Sequence, residues 1–201
     1  MTIYALKPRF QALLRPLVVR MHAAGITANQ VTLAACVLSL LLGVALCLQP
    51  VRPALFLLLP LWLFLRMALN AVDGMLAREF GQKSDLGAFL NELTDVVSDA
   101  ALYLPFAFLP HFGWLEVMLV VFLSVVAEMA GTVAVMVRAS RRYDGPMGKS
   151  DRAFVLGALG LAVGLGMPPA AWQQVIFPVV SVLLLVTIFN RVRGALSEVE
   201  R

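Results

Sequence analysis

The chain of 201 residues is too apolar for an ordinary soluble domain, since 61% of its residues are hydrophobic and only 14% are charged. Soluble domains usually carry roughly 25% charged residues. We therefore predict an all-α integral membrane protein. The apolar segments follow one another without a long hydrophilic insert, so residues 1–201 are expected to form a single domain. Cys36 and Cys47 lie in one apolar run, which argues against a disulfide framework or a cysteine metal site.

The N-terminal segment, residues 1–24, is predicted to be an amphipathic helix lying in the membrane interface. Its apolar residues recur at helical spacing, and polar and basic residues occupy another face, which would meet anionic lipid headgroups. A frayed basic tail is the alternative, and no secretory signal pattern is present. The apolar positions are Ile3, Leu6, Phe10, Leu13, Leu17 and Met21, and the polar positions are Lys7, Gln11 and Arg15.

Six apolar segments follow, and together they predict a bundle of six transmembrane helices over residues 25–193. Thr27 and Asn29 are candidate N-caps of the first. Arg66 in the second precedes Asn70 by one helical turn, so it would balance a carboxylate or steer an anionic substrate. Snorkelling to the interface is the alternative for Arg66. The segments cover residues 31–48, 54–77, 86–109, 114–137, 153–167 and 172–190.

Basic residues alternate between the two sides of this predicted bundle. They occur at the N-terminus, in the second and fourth connections and at the C-terminus, whereas the other side holds only Arg52. The positive-inside rule then places both termini in the cytoplasm. It also places the polar stretch of residues 70–99 at the cytoplasmic ends of the second and third spans.

This polar stretch is the strongest candidate for a functional site. Asn70 and Asp73 are three residues apart, and Asn91, Asp95 and Asp99 are four apart, so each set shares one helix face. Polar groups in membrane helices are costly and usually functional. The alternative is a buried polar network that only ties the helices together.

The residue types in this stretch suit a divalent cation and phosphate. Carboxylate and amide oxygens are ligands for Mg²⁺ or Mn²⁺, and a carboxylate beside the metal can accept a proton from an incoming hydroxyl. Glycine allows close backbone approach, and cations can meet phosphate oxygens. The candidates are Asp73, Asp95, Asn70 and Asn91 for the metal, Gly74 for close approach, and Arg78 and Lys83 for phosphate.

The stretch resembles the signature of the CDP-alcohol phosphotransferase family, D-x-x-D-G-x-x-A-R, eight residues, then G-x-x-x-D-x-x-x-D. The fixed positions match at the family's spacing, except that asparagine replaces aspartate at 70 and 91. Six spans and a basic interfacial helix are also the family's layout, and a small enterobacterial inner-membrane branch is the nearest likeness. The remaining matches are Asp73, Gly74, Ala77, Arg78, Gly87 and Asp95, with further likeness at residues 27–32, 148–152 and 190–191.

The resemblance implies a transferase of phospholipid biosynthesis in the bacterial inner membrane. It would use a CDP-diacylglycerol-type donor, an alcohol acceptor and Mg²⁺ or Mn²⁺, and release CMP. It would be a homodimer surrounded by membrane lipids, with no nucleic-acid partner. By the same resemblance, the metal is held by Asn70, Asp73, Asn91 and Asp95, and Asp95 is the general base. The CDP-linked donor meets Gly74, Arg78, Ser84 and Gly87. The acceptor or its phosphate faces Lys149, Arg152 and Arg191, unless these three residues only set the membrane topology.

The two asparagines leave the mechanism open, because the site falls from four formal negative charges to two and metal affinity depends on ligand charge. The chain is then a one-metal enzyme, a two-metal enzyme with another carboxylate, or a decayed relative that binds nucleotide or lipid. Asp99 is a candidate for the extra carboxylate, Asp85 is expected to be a helix cap, and Glu92 is expected to face elsewhere. A transporter, suggested only by Glu128 and Arg66, is a distant third.

Overall fold

A computed structural model describes residues 6–110, 112–168 and 172–200, and within these ranges helices, joined by turns and loops, are the regular secondary structure, with no strand. The predicted all-α class is confirmed. Short 3-10 segments, Pro53–Leu57, Leu104–Phe108 and Ala134–Val137, join or extend the helices. The α-helices of the described residues are α1 (Leu6–Ala23), α2 (Ala28–Leu48), α3 (Leu58–Glu79), α4 (Asp85–Tyr103), α5 (Trp114–Val133), α6 (Lys149–Gly164) and α7 (Trp172–Val199).

Side chains fix the first turns of two helices that matter for the site. Thr27, one of the two predicted N-caps, caps α2 and forms a capping box with Gln30. Asn29, the other predicted cap, lies inside the first turn of α2. Ser84 caps α4, because its hydroxyl accepts a hydrogen bond from the Gly87 amide at 3.0 Å. Asp85, the predicted cap, is instead the first residue of α4. The polar hinge that joins α3 to α4 is therefore residues 80–84.

Four helices of the described chain are long and apolar enough to cross a membrane, which makes this a multi-pass membrane protein. They are Ala28–Leu48, Pro53–Glu79, Trp114–Val137 and Gln173–Val199. The predicted fourth segment, residues 114–137, coincides with the third of them. The six-span count is not confirmed by this measure, since α4 carries four acidic residues and α6 has only 16 residues.

The largest apolar core lies at the ends of the helices opposite the polar stretch. Phe106, after α4, is fully buried and packs against Phe56, Phe112 and Phe177 at ring-centroid distances of 5.3, 5.7 and 5.9 Å. Aromatic packing of this kind contributes beyond simple burial. This core fixes one end of the bundle, so that the ends of α3 and α4 that carry the polar groups can surround open space.

Helix α1 packs beside α3 at the polar end of the bundle. Arg15 of α1 forms an ion pair with Glu79 at the end of α3, at 2.6 Å. Leu13 and Leu17 of the predicted apolar face remain 75% and 49% exposed. These two positions are thus uncovered by the protein, whereas Phe10 of the same predicted face packs against Phe64 and Met21 is half-buried. Ile3 lies outside the described residues.

Candidate functional site

Two adjoining cavities lie among the described residues at the polar ends of the helices. The first has a volume of about 630 Å³ and is lined mainly by α2, α3, the hinge and α4. The second has a volume of about 440 Å³ and is lined by α3, α4, α5, α6, α7 and the loop before α6. Asn70, Arg141 and Tyr143 line both, so the cavities meet at these three side chains.

Asp73 lies in the wall of the first cavity and is held there by the start of α2. The Thr32 hydroxyl donates to Asp73 Oδ2 at 2.8 Å, and the aspartate is only 6% exposed. Thr32 belongs to the segment 27–32 that the sequence singled out. The contact fixes one carboxylate oxygen and leaves the other as an acceptor beside the cavity.

The two asparagines of the signature each direct their amide nitrogen at a carboxylate. Asn70 Nδ2 lies 3.5 Å from Asp95 Oδ1, and Asn91 Nδ2 lies 3.4 Å from Glu92 Oε1. Since the nitrogen and oxygen of an amide point in opposite directions from one carbon, these contacts turn each Oδ1 away from the carboxylate. Both asparagines line the first cavity and present neutral oxygen donors there.

Asp95 is a carboxylate of the second cavity with a cation on each oxygen. Lys149 Nζ lies 2.5 Å from Oδ2, and Arg66 Nη2 lies 3.1 Å from Oδ1. Arg66 also donates to the Asp95 main-chain carbonyl at 3.0 Å. The prediction that Arg66 balances a carboxylate is confirmed, and the snorkelling alternative is wrong, because Arg66 is 3% exposed inside the bundle.

Asp99, the next polar position along the same face of α4, has a different environment. One of its oxygens contacts Arg66, and the other lies 2.8 Å from Arg152 Nη2. Arg152 also lies 2.9 Å from Glu128 Oε1. Two predictions are corrected here: Asp99 is not placed as a metal ligand, and Arg152 does not face an acceptor, because both are buried in ion pairs and line neither cavity.

The other two residues predicted to face the acceptor do line the second cavity. Lys149 begins α6 and projects to Asp95, while Arg191 of α7 contacts the Ala127 carbonyl and lies 3.4 Å from Glu128 Oε2. The second cavity therefore has cationic groups on two walls. Each is close to a carboxylate, so their charges are partly balanced.

The residues predicted to meet the CDP-linked donor all line the first cavity. A Cβ at Gly74 would lie 2.9 Å from the Arg78 guanidinium, and a Cβ at Gly87 would lie 2.9 Å from Asn29 Oδ1. Both glycines thus leave room for polar side chains that face the cavity. The complete set is Gly74, Arg78, Ser84 and Gly87, with Lys83 beside them.

Three cavity residues were missed or misplaced by sequence reasoning. Glu92 was expected to face elsewhere, and this is wrong: it lines the first cavity. Arg141 Nη2 lies 2.6 Å from Glu92 Oε2, its Nη1 donates to the Tyr143 hydroxyl at 2.7 Å, and its guanidinium lies 4.6 Å from the Tyr143 ring centroid. Periodicity could not reveal Arg141 and Tyr143, because they belong to a loop.

The loop of residues 138–148 that carries Arg141 is attached to α7. Glu198 accepts hydrogen bonds from the Ser140 amide at 2.8 Å and from Arg142 at 2.7 Å. Arg142 also donates to Asp144 Oδ2 at 2.7 Å, and this hydrogen bond lowers the pKa of the Asp144 carboxyl below its ordinary value. These contacts fix the loop over the junction of the two cavities.

The candidate metal ligands fit a hard divalent cation. The described part of the chain has no group of three or more His, Cys, Asp and Glu side chains placed to share a metal. The candidate set instead combines the carboxylates of Asp73 and Asp95 with the amide oxygens of Asn70 and Asn91. Mg²⁺ and Mn²⁺ accept such all-oxygen sets and retain some water.

Comparison with known proteins identifies the family and the fold. The sequence model of the CDP-alcohol phosphatidyltransferase family matches residues 25–187. The chain is 50% identical over 196 residues to the Escherichia coli (strain K12) inner membrane protein YnbA, covering 98% of this chain and 97% of that protein. It shares its fold with Mycobacterium tuberculosis phosphatidylinositol phosphate synthase (PgsA1), which was crystallised with manganese and citrate. The TM-score is 0.73 at 18% identity, and the match covers 90% of this chain and 88% of that one. The resemblance drawn from the sequence is therefore confirmed, and the chain belongs to the CDP-alcohol phosphatidyltransferase family.

Proposed function

We propose that the protein transfers a phosphatidyl group from a CDP-diacylglycerol-type donor to an alcohol acceptor and releases CMP, with Mg²⁺ or Mn²⁺ bound. The observation that carries this proposal is the pair of cavities that meet at Asn70, Arg141 and Tyr143. A transferase needs two substrates in contact at one point. Two polar cavities with a common border meet that need: the first is lined by most of the signature residues, and the second by Asp95, the candidate base.

The first cavity is assigned to the CDP-linked donor. Arg78 and Lys83 line it and supply positive charge for a pyrophosphate. Gly74 and Gly87 leave the space beside them to the Arg78 guanidinium and to Asn29 Oδ1, which line the same cavity. Its volume of about 630 Å³ is within the range of sites for small-molecule ligands, roughly 300–1,000 Å³.

The metal is assigned to the border of the two cavities, with Asn70, Asp73, Asn91 and Asp95 as its protein ligands. A divalent cation there would neutralise pyrophosphate charge and make CMP a better leaving group. Asn70 is central to this assignment because it lines both cavities and contacts Asp95. Asp73 stays in position because Thr32 holds it.

Asp95 is assigned as the general base. Its carboxylate accepts the proton of the acceptor hydroxyl while the hydroxyl oxygen attacks the phosphorus of the phosphatidyl group. The new oxygen–phosphorus bond forms as the bond to CMP breaks, so CMP leaves with the electron pair. Arg66, buried beneath Asp95, binds Oδ1 and the main-chain carbonyl and thereby orients the carboxylate toward the second cavity.

The second cavity is assigned to the acceptor. Its volume is about 440 Å³, and cationic groups of Lys149, Arg191 and Arg141 line it together with Glu128 and Asp151. Such a lining favours a small polar alcohol that carries an anionic group, since a cation can bind the anion while the hydroxyl reaches Asp95. It disfavours an acceptor with a large apolar body.

We extend the proposal to the membrane arrangement: six spans, with α4 and α6 also crossing, in the bacterial inner membrane as a homodimer with both termini cytoplasmic. Leu86, Phe89 and Leu93 of α4 are 63%, 69% and 62% exposed, which suits a lipid-facing surface opposite the acidic face. The exposed Leu13 and Leu17 of α1 likewise suit a helix in the interface. The inner-membrane name of the Escherichia coli relative supports the location.

A second candidate function follows from Asn70 and Asn91. With two carboxylates instead of four at the signature positions, the site has less charge to hold metal. A decayed relative would keep the two cavities and bind nucleotide or lipid without turnover. The retained Asp95, Gly74 and Arg78 favour the active enzyme over this alternative.

The test is CMP release by the full-length protein in detergent, given CDP-diacylglycerol, Mg²⁺ or Mn²⁺ and a panel of alcohols with and without phosphate groups. We expect metal-dependent release with a phosphorylated acceptor, and loss of it in Asp95→Asn. Metal-independent release, or full activity of that variant, would contradict the mechanism. If the wild type is silent while Asn70→Asp with Asn91→Asp is active, the decayed relative is the correct description.

A further inference from the structure

We propose that Glu92 is a positioning residue that makes Asn91 a usable metal ligand. This inference rests on the metal site of the proposed function. It concerns a residue outside the family signature, next to one of the two positions where this chain departs from that signature. The evidence is the chain of contacts from Asn91 through Glu92 to Arg141 and Tyr143.

The chemistry of an asparagine ligand gives Glu92 a role. An aspartate presents either of two equivalent oxygens to a cation, whereas asparagine presents an oxygen in one orientation and an NH₂ group in the other. The NH₂ group repels a cation, so the amide of an asparagine ligand must be fixed with its oxygen toward the metal. A carboxylate that accepts from this NH₂ group provides the hold, because an ionised carboxylate has no hydrogen to offer the oxygen end.

The geometry at Glu92 meets this requirement. Asn91 Nδ2 lies 3.4 Å from Glu92 Oε1, so the Asn91 oxygen is turned away from Glu92. Arg141 Nη2 lies 2.6 Å from the second Glu92 oxygen. Arg141 is itself held by the Tyr143 hydroxyl and ring. Glu92 is therefore fixed on one side by an arginine, and its remaining oxygen is available to orient the amide.

Asn70 has a comparable arrangement that does not depend on an extra residue. Its Nδ2 faces Asp95 Oδ1, which belongs to the signature itself. The Nδ2 of Asn91 instead faces Glu92, which lies outside the signature. The asparagine at 91 thus comes with an acidic neighbour that accepts from its amide nitrogen and so orients its oxygen.

The experiment measures Mn²⁺ affinity rather than turnover, by electron paramagnetic resonance of free Mn²⁺ with the full-length protein in detergent. We expect Glu92→Ala to weaken Mn²⁺ binding by roughly 10–100-fold, the usual cost of losing a residue that orients a metal ligand. In the Asn91→Asp background the same change should cost little, because an aspartate at that position needs no orientation. Glu79→Ala, which breaks the 2.6 Å ion pair with Arg15 outside both cavities, is the matched control and should leave affinity unchanged.

The outcomes separate the two proposals. No Mn²⁺ binding by the wild type would overturn the metal site of the proposed function and this inference with it. If the wild type binds Mn²⁺ and Glu92→Ala binds it equally well, this inference alone is overturned. It is also overturned if Glu92→Ala loses the same affinity in the Asn91 and Asn91→Asp backgrounds, because Glu92 would then only hold the loop through Arg141. If Glu92→Ala does not fold, Glu92→Gln tests the same coupling. A smaller loss of Mn²⁺ affinity that disappears in the Asn91→Asp background supports the inference. A loss of affinity that is equal in both backgrounds overturns it.

Discussion

Asp95 and Asp99 lie one turn apart on α4, each with a cation on both oxygens, and they differ in their access to open space. Asp99 is 4% exposed and has a guanidinium on each oxygen, whereas Asp95 borders a cavity of about 440 Å³. Arg66 contacts both. Under the proposed function, the comparison separates a reacting carboxylate from one that only stabilises the bundle. The two aspartates differ in whether the carboxylate borders a cavity or is enclosed by buried ion pairs.

The largest expected effect comes from making the same substitution at both positions. Asp99→Asn removes the charge that balances Arg66 and Arg152, and breaking a buried pair in this way costs about 3–5 kcal/mol. We therefore expect little folded protein, measured by size-exclusion yield and thermal unfolding in detergent. Asp95→Asn should fold normally but lose about 10²–10⁴-fold in CMP release, the usual contribution of a general base.

This pair of variants can also break the comparison. A well-folded Asp99→Asn that lacks only activity would place Asp99 among the reacting groups. A poorly folded Asp95→Asn would place Asp95 in the structural network. Either result would reverse the assignment of the two aspartates.

A second prediction sharpens the functional side of the comparison. Adding a carboxylate at the open site by Asn70→Asp or Asn91→Asp should lower the Mn²⁺ concentration for half-maximal binding by roughly tenfold, because ligand charge tunes the affinity of such sites. The measurement is titration of free Mn²⁺. Ser98→Asp, which adds a charge at a buried position next to Asp99, is the control and should weaken folding without tightening binding. Unchanged affinity in both Asn→Asp variants would contradict the assignment of these residues as ligands.

A third prediction compares the two cavities. Lys149→Met should raise the KM for an anionic acceptor about tenfold, since a charged hydrogen bond contributes roughly 1.5–3 kcal/mol, while the KM for the donor changes little. Lys83→Met, in the first cavity, should do the reverse. Initial rates of CMP release at varied donor and acceptor concentrations measure both. If each variant changes the KM for the donor and the KM for the acceptor equally, the donor and the acceptor do not bind in separate cavities as proposed.

The smallest expected effect concerns the exposed pair of Asp144 and Arg142. Because the pKa of Asp144 is lowered in the folded protein, its ion pair stabilises the fold above about pH 4, the ordinary Asp pKa. That contribution is lost as the pH falls through the lowered value. Asp144→Asn should therefore reduce the unfolding temperature slightly at pH 7 and less as the pH is lowered. If Asp144→Asn lowers the unfolding temperature more at low pH than at pH 7, the predicted direction of the pH dependence is wrong.

The sequence predicted well what depends on local pattern. Thr27 was identified as a cap and residues 114–137 as an apolar segment, because hydrophobic runs and cap residues have short-range signals. The spacing of the polar residues predicted that Asn70, Asp73, Asn91 and Asp95 would converge. The first three line the first cavity, whereas Asp95 lines the second, which Asn70 also borders. The family itself was identified from the same spacing.

What the sequence could not predict depends on contacts between distant segments. Arg152 and Asp99 are 53 residues apart, and only the folded bundle shows that their side chains meet and neutralise each other. Arg141 reaches Glu92 across 49 residues through a loop without periodicity. Glu92 was assigned to another face from the 100° step between neighbouring residues, yet a long side chain can reach around its helix. Side-chain reach and loop path are therefore the limits of this kind of prediction.

The short length of α6 has a consequence for the lipid around it. A helix of 16 residues spans about 24 Å, which is less than the roughly 30 Å of a hydrocarbon core. Under the proposed six-span topology, the bilayer must thin beside α6 or polar groups must reach below the headgroup layer. Lys149, at the first turn of α6, would then lie closer to the bilayer centre than a full-length span would place it. A lipid donor could deliver its phosphate to that depth while its acyl chains stay in the membrane.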